Sequence, residues 1–127
     1  MSKRILLINF IVIIFLSLIL FGCAAKAKKL NERHYQTILC NELNGEMEYV
    51  LKDKTRVDCL TDEYAIEVDF AKKWAESIGQ SLYYAHMTAK KPAVGLIMNS
   101  KKDERYFKRL KVMADEYEIK IFVINKE

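Results

Sequence analysis

The sequence predicts a mixed α/β domain, with elements in the order α-β-β-β-α-β-α-β around a mixed central sheet. Two segments, Ala93–Met98 and Ile119–Ile124, are almost wholly apolar, as strands buried on both faces are. Three shorter segments alternate apolar and polar residues with a period of two, and three longer ones carry apolar residues at helical spacing. Short connections predict an antiparallel meander for the first three strands and right-handed crossovers between parallel strands after it.

The first helix is predicted from Glu32 to Leu43, and its apolar face consists of Tyr35, Ile38, Leu39 and Leu43. Asn44-Gly45 ends this helix, because glycine readily takes the left-handed conformation of a helix cap. Three alternating strands follow, separated by turns at residues 52–54 and 61–63; they are Glu46–Leu51, Thr55–Leu60 and Tyr64–Phe70.

The second helix is predicted over Lys72–Met87, with an apolar stripe assigned to the core. Pro92 marks the start of the fourth strand, Ala93–Met98. A third amphipathic helix, Asp103–Tyr117, precedes the last strand, Ile119–Ile124. Together these elements continue the meander as strand-helix-strand-helix-strand.

Acidic residues cluster on the second and third predicted strands. Asp58 alternates with Val57 and Cys59, while Glu67 and Asp69 lie opposite the apolar side chains of their own strand. If the two strands pair, the three carboxylates converge on the side of the sheet away from the core. Carboxylates held so close repel one another unless a cation lies between them, and oxygen ligands suit a hard ion such as Mg²⁺. The pattern therefore predicts a metal site.

Asp58, followed by Glu67-x-Asp69 and by Gln80-x-x-x-Tyr84, resembles the PD-(D/E)xK nuclease superfamily, in particular the branch whose helix carries a QxxxY signature. The resemblance extends from about Glu42 to the C-terminus and implies the restriction-endonuclease-like αβββαβαβ core. The chain departs from the pattern at one position, where Asp69 replaces the lysine. Lys73 on the following helix could supply the missing lysine. It lies seven residues, or about two helical turns, before Gln80, so the two side chains are on the same side of the helix.

The resemblance also implies chemistry. Asp58 and Glu67 would hold Mg²⁺ or Mn²⁺, with Asp69 either a third ligand or the replacement for lysine, and the substrate would be a phosphodiester of DNA or RNA. Lys73 would orient the attacking water or stabilise the developing charge. Gln80 and Tyr84 would contact substrate or orient the metal ligands. An upstream glutamate, Glu42 or Glu48, would add a ligand, and a homodimer would let so small a nuclease span a duplex.

Other interpretations stay open. One is that Asp58 and Arg56 are simply exposed cross-strand partners of Glu67 or Asp69. Such pairs contribute only about a few tenths of a kcal/mol to the stability of the fold. Two further hypotheses compete with the nuclease. One is a catalytically inactive nuclease-fold lipoprotein that acts as a binding module in the cell envelope. The other is an envelope protein without a nucleic-acid connection, whose acidic face binds Ca²⁺ or nothing.

The N-terminus predicts attachment to a membrane. Lys3 and Arg4 precede an apolar run, Ile5–Phe21, and Gly22 precedes Cys23, as in a bacterial lipoprotein signal with Cys23 as the lipidated residue. An uncleaved membrane anchor and an ordinary cleaved signal are the alternatives. The predicted organisation is a signal or anchor at residues 1–22, a tether at 23–31 and the α/β domain at 32–127, located in the cell envelope outside the cytoplasmic membrane.

Charge and cysteine content limit these hypotheses. The whole chain has 21 basic and 17 acidic residues, and removal of residues 1–22 leaves 19 basic and 17 acidic ones. So small an excess does not by itself predict nucleic-acid binding. Once Cys23 is lipidated, Cys40 and Cys59 remain, either as a disulfide in an oxidising compartment or, as the sequence favours, as two reduced and buried thiols.

Overall fold

The computed structural model describes residues 30–126, which form a five-stranded sheet in the order β1-β2-β3-β4-β5. The eight-element order predicted from periodicity is the observed order, and the fold is mixed α/β. The elements are α1 (Glu32–Glu42), β1 (Glu46–Val50), β2 (Arg56–Leu60), β3 (Tyr64–Phe70), a 3-10 turn (Ala71–Lys73), α2 (Trp74–Thr88), β4 (Lys91–Met98), α3 (Ser100–Glu116) and β5 (Lys120–Asn125).

The predicted signal at residues 1–22 and the predicted lipidation site Cys23 lie outside the described residues. Within residues 30–126, every helix is too short or too polar to cross a bilayer. The described chain begins at the predicted tether's end, where Asn31 caps α1 by accepting a hydrogen bond from the backbone N–H of His34 at 3.1 Å.

The sheet combines the two predicted modes of pairing. The β1–β2 and β2–β3 pairs are antiparallel, whereas the β3–β4 and β4–β5 pairs are parallel. In the β3–β4 register Glu67 lies beside Val94 and Asp69 beside Leu96. The polar positions of β3 therefore belong to the same face as apolar, fully buried positions of β4.

One helix covers one face of the sheet and two cover the other. The α1 face holds Tyr35, Leu39 and Cys40 against Ile66 and Val68 of β3. On the opposite face, Trp74 and Ile78 of α2 and Leu110 of α3 pack on Val94 and Leu96 of β4. The apolar run in β4 is buried from both sides, as predicted, because helices cover both faces.

The last strand corrects one expectation, because β5 is an edge strand rather than a buried one. It pairs with β4 along one side, and among the described residues no strand pairs with its other side. Val123 consequently remains 49% exposed despite its place in an apolar run.

The first helix is also rotated relative to its predicted face. Ile38 is 39% exposed, and Gln36 and Cys40 are buried beside Tyr35 and Leu39 instead. The reason is a disulfide between Cys40 and Cys59, whose Cα atoms lie 5.6 Å apart. This bond turns the Cys40 side of α1 onto β2 and contradicts the interpretation of the two cysteines as reduced thiols.

The turn after α1 is built by two residues in different roles. Asn44, not Gly45, adopts the left-handed conformation, with φ of 52°. Gly45 is required for space, because a Cβ atom there would clash with Sγ of Cys59 and lie 2.9 Å from Sγ of Cys40. The glycine thus lets the chain pass directly over the disulfide.

Candidate functional site: buried carboxylates between β2, β3 and α2

The carboxylates of β3 lie inside the protein, not on the outer side of the sheet as predicted. Glu67 is 6% exposed and Asp69 is 2% exposed. The chain turns at Ala71–Lys73 directly after β3, and α2 then folds back over the same face. Its buried side is polar where it meets β3, with Ser77, Ser81 and Tyr84 buried. The carboxylates are therefore enclosed by a polar stripe of the next helix.

Asp58 joins this face because β2 and β3 stop pairing next to it. Their paired residues are Cys59 with Ile66 and Leu60 with Ala65. Beyond the Cys59–Ile66 pair, a side chain replaces the backbone as hydrogen-bond acceptor. Oδ2 of Asp58 accepts a hydrogen bond from the backbone N–H of Val68 at 2.8 Å. The carboxylate is thereby fixed in the gap where the two strands diverge.

Gln36 of α1 holds the other side of this gap. Its Nε2 donates to the backbone carbonyl of Asp58 and to Oε1 of Glu48, both at 2.8 Å. Oε2 of Glu48 also forms an ion pair with Arg56 at 3.1 Å. Of the two upstream glutamates considered from the sequence, Glu48 is the one whose charge acts on Asp58.

Among the carboxyl groups of the site, Glu67 has the most strongly raised pKa. Burial, and then the charges of Asp58 and Asp69, raise the pKa of Glu67 to about 9. Among the described residues, its buried Oε2 has no hydrogen-bond partner. Burial also raises the pKa of Asp58 to about 6, although the bond from Val68 opposes this shift. At neutral pH Glu67 therefore carries a proton and Asp58 is largely ionised.

Asp69 is held differently, because both of its oxygens have partners. Oδ1 accepts from Lys73 Nζ at 2.8 Å, and Oδ2 accepts from Ser77 Oγ at 3.0 Å. Burial raises the pKa of Asp69, and the bond from Lys73 opposes that effect. Lys73 also contacts Glu32 of α1 at 3.3 Å, and its hydrogen bond with Asp69 raises the pKa of the ammonium group. Lys73 is thus a fixed cation beside the carboxylates.

The remaining predicted site residues lie further along α2. Tyr84 is buried, and burial raises the pKa of its hydroxyl, with a smaller effect from the charges of Glu67 and Asp58. Gln80 Nε2 lies 3.5 Å from the Tyr84 hydroxyl, at the long limit of a hydrogen bond. The charges of the carboxylates therefore act on Tyr84, but its side chain packs among Leu51, Val57 and Ala65. No hydrogen bond among the described residues joins Tyr84 or Gln80 to a carboxylate.

The three predicted metal ligands do not form a single ligand group. Within residues 30–126, no group of three or more His, Cys, Asp and Glu residues is arranged to hold a metal. Asp69 is turned toward Lys73 and Ser77, whereas Glu67 offers an unpartnered oxygen and lies in the field of Asp58. A divalent cation between Asp58 and Glu67 would favour the ionised form of Glu67, whose pKa burial and the charge of Asp58 otherwise raise.

Several residues of the site escaped prediction from the sequence. Ser77 and Ser81 occur at i+4 and i+8 from Lys73, a spacing that could have identified them as part of its stripe. Gln36 and Glu32 gave no such signal, because their contacts with β2 and with Lys73 span 22 and 41 residues of sequence.

Comparisons with known proteins give one similarity. The chain is 29% identical over 96 residues to a protein of Acanthamoeba polyphaga mimivirus described as containing a KilA-N domain. The match covers 73% of this chain and 26% of the viral protein, so the chain spans about a quarter of that protein's length. No protein-family model and no solved structure matches the chain. The function therefore has to be argued from the site.

Proposed function

We propose that the chain is a metal-dependent nuclease of the PD-(D/E)xK type, which hydrolyses phosphodiester bonds of DNA or RNA with Mg²⁺ or Mn²⁺. The observation that carries the proposal is the pair formed by half-buried Asp58 and buried Glu67 at the divergence of β2 and β3, with an unpartnered oxygen on Glu67. Three antiparallel strands followed by two parallel ones are consistent with a restriction-endonuclease-like core. Fold alone does not establish activity, so the proposal depends on this pair.

Asp58 and Glu67 would hold the cation. When bound, it supplies polarisation of a phosphodiester oxygen and a lower pKa for an attacking water. The protein's own contribution is to place both carboxylates on rigid strands before the cation arrives, with Asp58 fixed by the Val68 backbone and by Gln36. Such preorganisation is favourable because little reorganisation remains for the reaction.

Lys73 would take the place of the missing lysine of the motif. Asp69 occupies the motif's lysine position, and its Oδ1 holds the Lys73 ammonium at 2.8 Å. In this proposal Asp69 is a positioning residue rather than a metal ligand. The ammonium group is half-exposed, which leaves it able to contact a phosphate while Asp69 and Glu32 fix its location.

We further propose that the protein acts at a membrane, through lipidated Cys23 or an N-terminal anchor, on the support of the basic residues and the apolar run before Cys23. A second function, that of a catalytically inactive binding module, is favoured by one observation. The described residues lack a group of three acidic or histidine ligands for a metal.

The two functions can be separated with the full-length protein in a mild nonionic detergent. Plasmid, single-stranded DNA and RNA would be incubated with Mg²⁺, Mn²⁺ or EDTA, with wild type, Glu67→Gln and Glu63→Gln. Glu63 is a matched control, since it is a solvent-exposed glutamate paired with Lys91 near the start of the same strand. Cleavage that needs the metal, is lost in Glu67→Gln and persists in Glu63→Gln would support the nuclease.

Thermal unfolding with and without metal gives the second measurement. A ligand that binds only the folded state raises the melting temperature, so Mg²⁺ should stabilise wild type and Glu63→Gln but not Glu67→Gln. Absence of both cleavage and stabilisation would overturn the metal site. Stabilisation without cleavage of any substrate would favour the inactive binding module.

A further inference from the structure

A cleft beside the carboxylate site has a composition unlike that of the rest of the surface. It has a volume of about 570 Å³, which is within the range of ligand pockets. Phe70, Asn99 and Lys126, which line it, lie at the carboxyl ends of β3, β4 and β5. In open α/β sheets this edge is the usual position of a ligand.

The cleft is strongly basic, although the chain as a whole has a formal net charge of only +4. Five cationic side chains line it against one carboxylate, that of Asp103; they are Lys72, Lys73, Lys102, Arg105 and Lys126. Oδ2 of Asp103 accepts the backbone N–H of Asn99 at 2.7 Å, which directs the carboxylate toward the backbone. A concave surface lined by one sign of charge concentrates ligands of the opposite sign.

Aromatic rings lie among these cations. The Arg105 guanidinium lies 4.7 Å from the centre of the Tyr106 ring, and Lys126 Nζ lies 5.7 Å from the centre of the Phe70 ring. Cations that track a phosphate backbone, combined with rings on which bases stack, are the usual means of binding single-stranded nucleic acid. Duplex DNA keeps its bases inside the helix, so none of its bases would be free to stack in the cleft.

Lys73 connects the cleft with the carboxylates. It lines the cleft and is bonded to Asp69, which lies two residues after Glu67 on β3. In the proposed nuclease, Lys73 would therefore contact a strand that reaches from the carboxylate face into the cleft.

We propose that this cleft binds an unpaired nucleotide flanking the scissile phosphate, so that the substrate class is single-stranded nucleic acid. The inference rests on the proposed nuclease function for the position of the cut, but the binding itself does not depend on cleavage. Lys102 and Lys126 contact the phosphates, and the base stacks on the Arg105 guanidinium, which itself lies over the Tyr106 ring.

The test is binding of labelled oligonucleotides to the full-length protein in detergent, measured by fluorescence anisotropy in EDTA, where a metal-dependent nuclease cannot cut. The probes are a single strand, the same sequence as a duplex, and a strand of equal length with abasic sugars. The variants are Lys102→Glu/Lys126→Glu and Lys108→Glu, a charge reversal on the same helix outside the cleft. Circular dichroism confirms that each variant folds.

We expect the single strand to bind at least about tenfold more tightly than the duplex or the abasic strand, because one stacked base contributes about 1–3 kcal/mol. The double variant should lose about tenfold in affinity. Its affinity should also depend less steeply on salt, by about 0.7 in logarithmic slope for each phosphate that the protein no longer neutralises. Lys108→Glu should bind like wild type.

Equal affinity for single strand and duplex, or an unchanged affinity in the folded double variant, would overturn the inference. Its failure is distinguishable from failure of the nuclease proposal. If binding depends on the cleft but wild type does not cleave in Mg²⁺, the inference holds and the nuclease proposal is wrong. If wild type and the double variant cleave equally well, the nuclease proposal holds and the inference is wrong.

Discussion

The two faces of β3 are buried to a similar extent but carry opposite chemistry. Toward α1 the strand presents Ile66 and Val68, which are fully buried among apolar side chains. Toward α2 it presents Glu67 and Asp69, which are almost as inaccessible. Burial of an aliphatic side chain stabilises a protein by about 1.5–3 kcal/mol, whereas a buried carboxylate costs several kcal/mol unless it is paired. One face of the strand thus stabilises the fold and the other reduces its stability.

Polar groups that reduce stability persist most readily where they serve a function, so the difference between the faces supports a functional site on the α2 side. The acidic residues themselves also differ. Asp69 is compensated by Lys73 and Ser77, but Glu67 lacks such compensation among the described residues. Substitutions on each face test this difference.

Ile66→Ala tests the apolar face. The side chain is fully buried in the α1 core, so the free energy of unfolding should fall by about 2–5 kcal/mol through lost burial and the cavity left behind. Urea denaturation followed by circular dichroism measures the change. Ile38→Ala, at a partly exposed position of α1, is the control and should lose much less. Equal losses would mean that the α1 face does not hold the core.

Removal of the disulfide with Cys40→Ala/Cys59→Ala tests how α1 is attached to that face. The bond closes a loop of 19 residues, and its loss should reduce the free energy of unfolding by about 3 kcal/mol. Urea denaturation with and without dithiothreitol measures it. The reductant should destabilise wild type and leave the double variant unchanged. If the free energy of unfolding of wild type did not change on complete reduction, verified by thiol titration, the disulfide would have no role in stability.

Glu67→Gln tests the polar face through the dependence of the free energy of unfolding on pH. The folded-state pKa of Glu67, about 9, exceeds its ordinary value of 4.5, so the folded protein holds a proton that the unfolded chain has released. Stability should therefore fall as pH rises from about 4.5 to about 9. Asp58, raised from 3.8 to about 6, contributes a loss in the same direction at lower pH.

The substitution to glutamine should flatten the dependence on pH above 6 and raise stability at pH 8 by about 1–3 kcal/mol. Urea denaturation across this range gives the measurement, with Glu63→Gln as the exposed control. A wild type whose stability is constant between pH 6 and 9 would show that Glu67 is not buried in protonated form.

Lys73→Met tests the compensation of Asp69. Lys73 is 47% exposed, so solvent weakens the pair, and a loss of about 1 kcal/mol is expected because Asp69 remains buried without its cation. Lys111→Met breaks a surface pair of the same i,i+4 spacing with Asp115 and should cost no more than about 0.5 kcal/mol. Thermal unfolding compares the variants. Losses of equal size would mean that Lys73 is an ordinary surface lysine.

The order of elements could be predicted from the sequence, and so could the placement of the three candidate acidic residues on β2 and β3. Alternation at period two and stripes at helical spacing depend on local burial, so β3 was predicted with its observed ends and α1 within one residue. Asp58, Glu67 and Asp69 were identified as neighbours because strand periodicity places them on defined faces. Lys73, Gln80 and Tyr84 were named from the resemblance to the nuclease superfamily, and helical spacing predicted only that they share one stripe of the helix.

Only the tertiary structure decided whether those carboxylates face solvent or the interior. Periodicity assigns two residues to the same face but does not say which helix covers that face, and α2 covers this one. In the same way, Gln36 and Glu32 enter the site, and Cys40 meets Cys59, through contacts between distant segments. These contacts form only when α1 packs on the sheet, because side chains 19 to 41 residues apart have no fixed relation until the chain is folded.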